Sequence, residues 1–185
     1  MTTDRLTKLG RLTALLSFLF GTMIFVFYFL TSSSNLLFVG YAYILIVGLL
    51  NLVILILLLI RIPDTKGERM KLLKTCGLIL LNIPAMIIYC YISLYMTGIL
   101  RIQFRNETEN ELTEIKINGC ETKSIQKLSP NEVKTIWIGI PRDCSVDITY
   151  IVNGQLKQET VSGYMTPGMG QRIKYNIGGK NDELF

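Results

Sequence analysis

The sequence predicts a membrane α unit followed by an all-β domain: three transmembrane helices within residues 1–100, then a small immunoglobulin-like β-sandwich over residues 101–185. Three observations lead there. Long apolar runs without a single charge fill the first hundred residues, the periodicity turns to alternation after Arg101, and turn-forming pairs recur between the alternating segments. Half of the 185 residues are hydrophobic and only 18% are charged, a balance too apolar for an ordinary water-soluble domain.

The apolar runs are Leu12 to Leu30, Leu36 to Ile60 and Thr75 to Leu100. A hydrocarbon core of roughly 30 Å takes about 20 helical residues at about 1.5 Å each, so each run is long enough to span. A cleaved signal peptide competes for the first run, given its basic start. Signal cores are about 7 to 15 residues, however, and no Ala-x-Ala-like site follows. Cleavage would leave the sidedness of everything after Leu36 unchanged.

Orientation follows from where the charge lies. Residues 1–100 hold eight Lys/Arg against three Asp/Glu, the whole of the net charge of +5, whereas residues 101–185 hold eleven of each. The excess is a topology signal, not a nucleic-acid footprint. Arg5, Lys8 and Arg11 precede the first run, and Arg61, Lys66, Arg69, Lys71 and Lys74 lie between the second and third. The link from Thr31 to Asn35 has none. The expectation is a multi-pass protein of the cell (inner or plasma) membrane with a cytoplasmic N-terminus and an extracytoplasmic C-terminal domain. Aromatic residues agree: Phe25, Phe27, Tyr28 and Phe29, then Phe38, Tyr41 and Tyr43, then Tyr89, Tyr91 and Tyr95 all fall near the outer interface.

Inside the runs no residue is ionised, which counts against proton relays and ion coupling. Asn51, Asn82 and Pro84 are the interruptions. Interhelical hydrogen bonds and a kink at Pro84 account for them, and the sharper alternative is a substrate path or lipid site lined by Asn51 and Asn82. Cys76 and Cys90 are about 21 Å apart along one helix at about 1.5 Å per residue, too far for a mutual bond.

Seven short strands are expected near residues 101–105, 112–118, 123–128, 133–140, 145–152, 155–162 and 171–177. Asn118-Gly119, Ser129-Pro130-Asn131, Pro141-Arg142-Asp143 and Asn153-Gly154 separate them, with Asn-Gly the strongest hairpin signal because a type I′ turn needs positive φ twice. A small closed β-barrel is the alternative architecture. Cys120 and Cys144 are a possible disulfide, closing a 24-residue separation in a domain small enough to need a staple. The alternative is two free, partly buried thiols.

The chain has no histidine, so Ser-His-Asp and Cys-His sites are impossible within it, and no Cys-x-x-Cys, phosphate-loop or dinucleotide glycine motif occurs. Glu107, Glu109, Glu111 and Glu114 lack a Ca²⁺-loop spacing and read as a solvated strand edge and loop. No catalytic residue, metal site or cofactor is therefore expected, nor a nucleic-acid partner. The segment Gly163 to Gly170 mixes glycines with large apolar groups, making Tyr164, Met165, Pro167 and Met169 candidate partner contacts. Its plainer reading is a long connection tucked onto the sandwich.

The functional expectation is a non-catalytic integral membrane protein whose outer β domain serves as a protein-interaction module, engaging a protein partner or a second copy beside the lipid bilayer. An immunity or inhibitor protein against an envelope-acting toxin is one alternative, and a transport or lipid-handling accessory subunit is another. Fold analogy does not choose among these.

Overall fold

With no water to bond, a segment in hydrocarbon must satisfy its own backbone groups, so runs of this kind fold as helices. The computed structural model describes residues 2–63 and 67–181. Among them, three helical stretches are long and apolar enough to cross a membrane: Thr3–Thr31, Ser34–Arg61 and Arg69–Thr97. Lys66, counted above toward orientation, lies outside the described residues, as do residues 182–185.

Helix α1 (Thr3–Thr31) begins well before its apolar run, because Arg5, Lys8 and Arg11 are good helix formers. It ends at Ser32, whose left-handed φ of 54° turns its N–H onto the Tyr28 carbonyl at 2.7 Å. Helix α2 is Ser34–Arg61. The third stretch is two helices, α3 (Arg69–Leu80) and α4 (Asn82–Thr97). Its break at Leu81 falls one turn before Pro84, whose ring excludes the carbonyl four residues back and offers no N–H to it. The apolar run was expected to continue to Leu100. Instead Gly98 separates helix from strand, and Ile99 and Leu100 are buried in the β domain.

The chain divides into two compact units, Met1–Ser93 and Leu94–Phe185. In the first, Leu6, Ala14, Ile54, Leu58, Leu72, Cys76 and Ile79 form the core. Gly10 permits the close approach there, since a Cβ on it would lie 2.8 Å from the Thr75 methyl and 3.1 Å from Leu58.

Among the described residues, the second unit contains seven strands: β1 Ile99–Asn106, β2 Leu112–Gly119, β3 Lys123–Leu128, β4 Val133–Gly139, β5 Cys144–Val152, β6 Gln155–Met165 and β7 Arg172–Ile177. They form two open sheets, ordered β4-β1-β7 and β3-β2-β5-β6. Neither closes among the described residues, which sets aside the barrel. Strand β1 pairs antiparallel with β4 and parallel with β7. Alternate residues of both sheets share one core, with Phe104, Ile117, Ile148 and Tyr150 among its fully buried members. Burying such side chains contributes about 1.5–3 kcal/mol each, the main force holding the domain.

Turn chemistry explains one agreement and one difference. Asn153 and Gly154, at φ 51° and 73°, close the two-residue β5–β6 hairpin as a type I′ turn requires. At Asn118-Gly119 only the glycine has positive φ, 121°, and it ends β2 instead of forming a two-residue turn. The Ser145 carbonyl occupies the space a Cβ would need, so Gly119 is there for backbone approach between β2 and β5.

Candidate functional site

Two regions hold the residues singled out by sequence. In the helical unit, Asn51 on α2 and Asn82 on α4 both line one cavity of about 380 Å³, whose walls are otherwise largely apolar. Each amide reaches to α1. Asn51 Nδ2 donates to Ser17 Oγ at 2.8 Å and to its own helix at Val47 O (2.9 Å), and Asn82 Nδ2 donates to Ala14 O at 3.0 Å. Tyr43 donates to Ser17 O at 3.0 Å, Tyr28 of α1 to Ser93 O at 3.2 Å, and Thr22 and Tyr89 share a bond of 2.9 Å. Helix α1 is thus the hub of the polar links.

The Val47 carbonyl can only accept, so it fixes which end of the Asn51 amide is NH₂ and leaves Oδ1 buried with no hydrogen-bond partner. Asn51→Ala removes one cross-helix bond and one orphan acceptor together. The expected cost is about 0.6 kcal/mol, the mean for such bonds in a membrane protein, checked by reversible unfolding in mixed micelles. Cys76 is buried and Cys90 half-buried, both as free thiols.

In the β domain, Cys120 and Cys144 stand at disulfide distance, Cα to Cα 5.1 Å. The chain places Cys120 immediately after β2 and Cys144 at the first residue of β5, strands that already pair. A few residues along, Tyr150 and Tyr175 both donate to the Glu159 carboxylate, Tyr175 at 2.8 Å, linking β5, β7 and β6 across the two sheets. Burial, reinforced by Glu159, pushes both phenols well above their ordinary value. Groups with raised folded values stabilise the fold fully below the unfolded pKa of about 10 and lose that contribution as pH rises beyond it. Urea midpoints should therefore hold steady up to about pH 10 and fall above it, and Tyr175→Phe should blunt the fall.

Of the segment proposed for partner contact, Met165 is the last residue of β6 and is buried, pairing with Cys144. Met169 packs against the core, whereas Pro167 and Tyr164 are exposed. Tyr164 Oη donates to Asp143 at 3.1 Å, and Thr166 donates to the same carboxylate at 2.6 Å, fixing the segment to the β4–β5 turn. Strand β6 reaches three residues beyond its expected end, carried by the irregular pairing around Val146. It is an edge strand among the described residues, and Leu156 and Tyr164, 73% and 53% exposed, stand on it. The acidic stretch is solvated, with Glu107 4.0 Å from Arg105 and Glu111 3.5 Å from Lys127.

Two features were missed from sequence. Glu159 lies in a polar stretch of β6 that gives no hint of two tyrosines converging on it. Trp137 was legible in principle: it alternates with inward-facing Ile136 and Ile138 and so had to face out. It is 43% exposed, lies 5.5 Å from the Arg101 guanidinium, and borders a cleft with Tyr95, Glu121 and Lys123. The Glu121 carboxyl is held below its usual range by the Gly139 N–H at 2.8 Å and by Lys123. No family model, curated protein or solved structure matches the chain.

Proposed function

We propose that the chain is a non-catalytic multi-pass membrane protein whose immunoglobulin-like β domain faces the extracytoplasmic side and binds a protein partner along the open edge of β6. The observation that carries this is β6 itself. At 11 residues it is the longest strand of the domain, it pairs on one side only among the described residues, and it presents Leu156 and Tyr164 to solvent. An edge of this kind accepts an added strand, main-chain hydrogen bonds supplying affinity and the alternate side chains supplying selectivity. A rigid tyrosine anchor fits such a contact, since its hydroxyl is already held by Asp143.

The extracytoplasmic placement rests on the Lys/Arg asymmetry of the links and on the cysteine pair, which oxidising compartments favour. The immunoglobulin-like reading is supported by open sheets of three and four strands over one core.

A photo-crosslinking residue at Leu156 tests the partner site in intact cells. A defined crosslinked product that disappears with Tyr164→Ala supports the site, and a product at the mass of two chains makes the partner a second copy. Equal, diffuse crosslinking from Leu156 and from Lys116 on β2, two strands away in the same sheet, defeats it. Sidedness is read separately. A single cysteine at Glu109, in a chain without the native four, should react with a membrane-impermeant reagent before lysis.

A further inference from the structure

On the reading that β6 is the binding edge, we propose that its partner is a second copy of this chain, the two joined through residues 155–160 in an antiparallel two-fold pair centred on Gln158. The Asn153-Gly154 turn sets which backbone groups are free for this. A two-residue hairpin closes on a hydrogen-bonded pair, here Val152 with Gln155, and the pattern alternates from there. Gln155, Lys157 and Glu159 thus spend their N–H and C=O groups on β5, whereas Leu156, Gln158 and Thr160 aim theirs at the open edge. Among the described residues, no backbone hydrogen bond outside the sheet ladders uses these three. The register with β5 runs unbroken from Gln155 to Thr160 and shifts only beyond it. This is the stretch fit to template another strand.

Side chains select both the centre and the occupant. In a two-fold antiparallel pair, each residue before the centre meets the partner's residue at the same distance after it. A centre at Lys157 or Glu159 sets like charges directly opposite, which destabilises the pair. One at Leu156 runs the ladder into the turn, and one at Thr160 runs it into the irregular stretch around Val161. Gln158 avoids all of these. Lys157 then meets the partner's Glu159, Glu159 meets the partner's Lys157, and Leu156 covers the partner's Thr160 on the other face. Neither Lys157 nor Glu159 has an ion-pair partner of its own among the described residues. The Glu159 carboxylate takes the two tyrosine hydroxyls and keeps lone pairs for a lysine. Beyond Thr160, the two register shifts bring Tyr164 level with the partner's Gly154, where nothing lies within 4 Å of an added Cβ. The strand carries its own complement.

Cysteine placed on the axis tests this directly. Paired Cα atoms at Gln158→Cys would stand about 5.5 Å apart, within disulfide reach. The two copies of Leu156→Cys would stand about 14 Å apart at about 3.4 Å per residue, beyond it. In the full-length chain in lipid vesicles, mild oxidation is expected to link Gln158→Cys at least tenfold faster than Leu156→Cys, the unaltered chain giving the background from Cys76 and Cys90. Lys157→Glu lines the seam with four carboxylates and should slow the link about tenfold, and adding Glu159→Gln should restore most of it, with the far-ultraviolet dichroism unchanged throughout. Equal rates for the two cysteine variants would overturn the proposal, as would a Gln158→Cys rate indifferent to Lys157→Glu. A slow link combined with a Tyr164-dependent crosslink from Leu156 to a different protein overturns the second copy and leaves β6 as the binding edge. A slow link combined with diffuse crosslinking overturns both.

Discussion

Serine at both Cys120 and Cys144 is expected to lower the stability of the β domain by about 3 kcal/mol, the chain-entropy value for a loop of this length. The separation is 24 residues, and the cross-link acts mainly on the unfolded chain, whose freedom it restricts. For a domain of this size that corresponds to a drop of roughly 12–24 °C in Tm. Thermal unfolding of the full chain in detergent, followed through Trp137, checks it, and reductant applied to the unaltered protein should reproduce the same shift. A double serine variant that melts with the parent would show that β2 and β5 hold each other without the bridge.

Gly119→Ala is expected to be at least as damaging, roughly 3–5 kcal/mol, because two costs coincide. The residue sits at φ 121°, where a side chain is strained, and its new Cβ would fall on the Ser145 carbonyl, a backbone group that cannot swing aside. Gly154→Ala supplies the comparison. Its φ is 73°, yet nothing lies within 4 Å of the added carbon, so only the left-handed penalty of about 1–2 kcal/mol remains. The ordering of the two variants in urea midpoint separates steric collision from backbone preference. Because Cys120 is the next residue, Gly119→Ala combined with the serine pair should cost less than the two effects added, the bridge being already compromised when its neighbour shifts.

The two halves of the chain were legible for different reasons. Charge-free runs have one stable solution in hydrocarbon, so Leu12, Leu36 and Thr75 announce helices without knowledge of their neighbours. The strands were legible because Ile115 and Ile117, or Val146 and Ile148, repeat at the period of a pleat with one buried face. What could not be read were features set by a second segment far along the chain. The glycine in Asn118-Gly119 carries a hairpin signal, but its role is decided by Ser145. Met165 and Met169 look like surface anchors amid glycines, yet the strand continues past Gly163 to bury Met165, and the turn after it packs Met169 against the core. That Arg101, Gln103 and Arg105 lie beside Arg172, Lys174 and Asn176 depends on a parallel registry no local pattern encodes. Asn51 and Asn82 stood out by type, but that both would bond to α1 depends on which helix faces which.

The parallel pairing of β1 with β7 makes the order of synthesis matter. The first strand of the domain has one of its two ladder partners in the last strand, so the central element of that sheet stays half-templated until the chain has emerged through Ile177. Such sequence-distant pairing is intrinsically slow, and an unpaired edge invites association with another chain in the meantime. A chain ended before Arg172 would hold all three long apolar helical stretches and the β1–β4 pair, but would leave the other side of β1 unpaired.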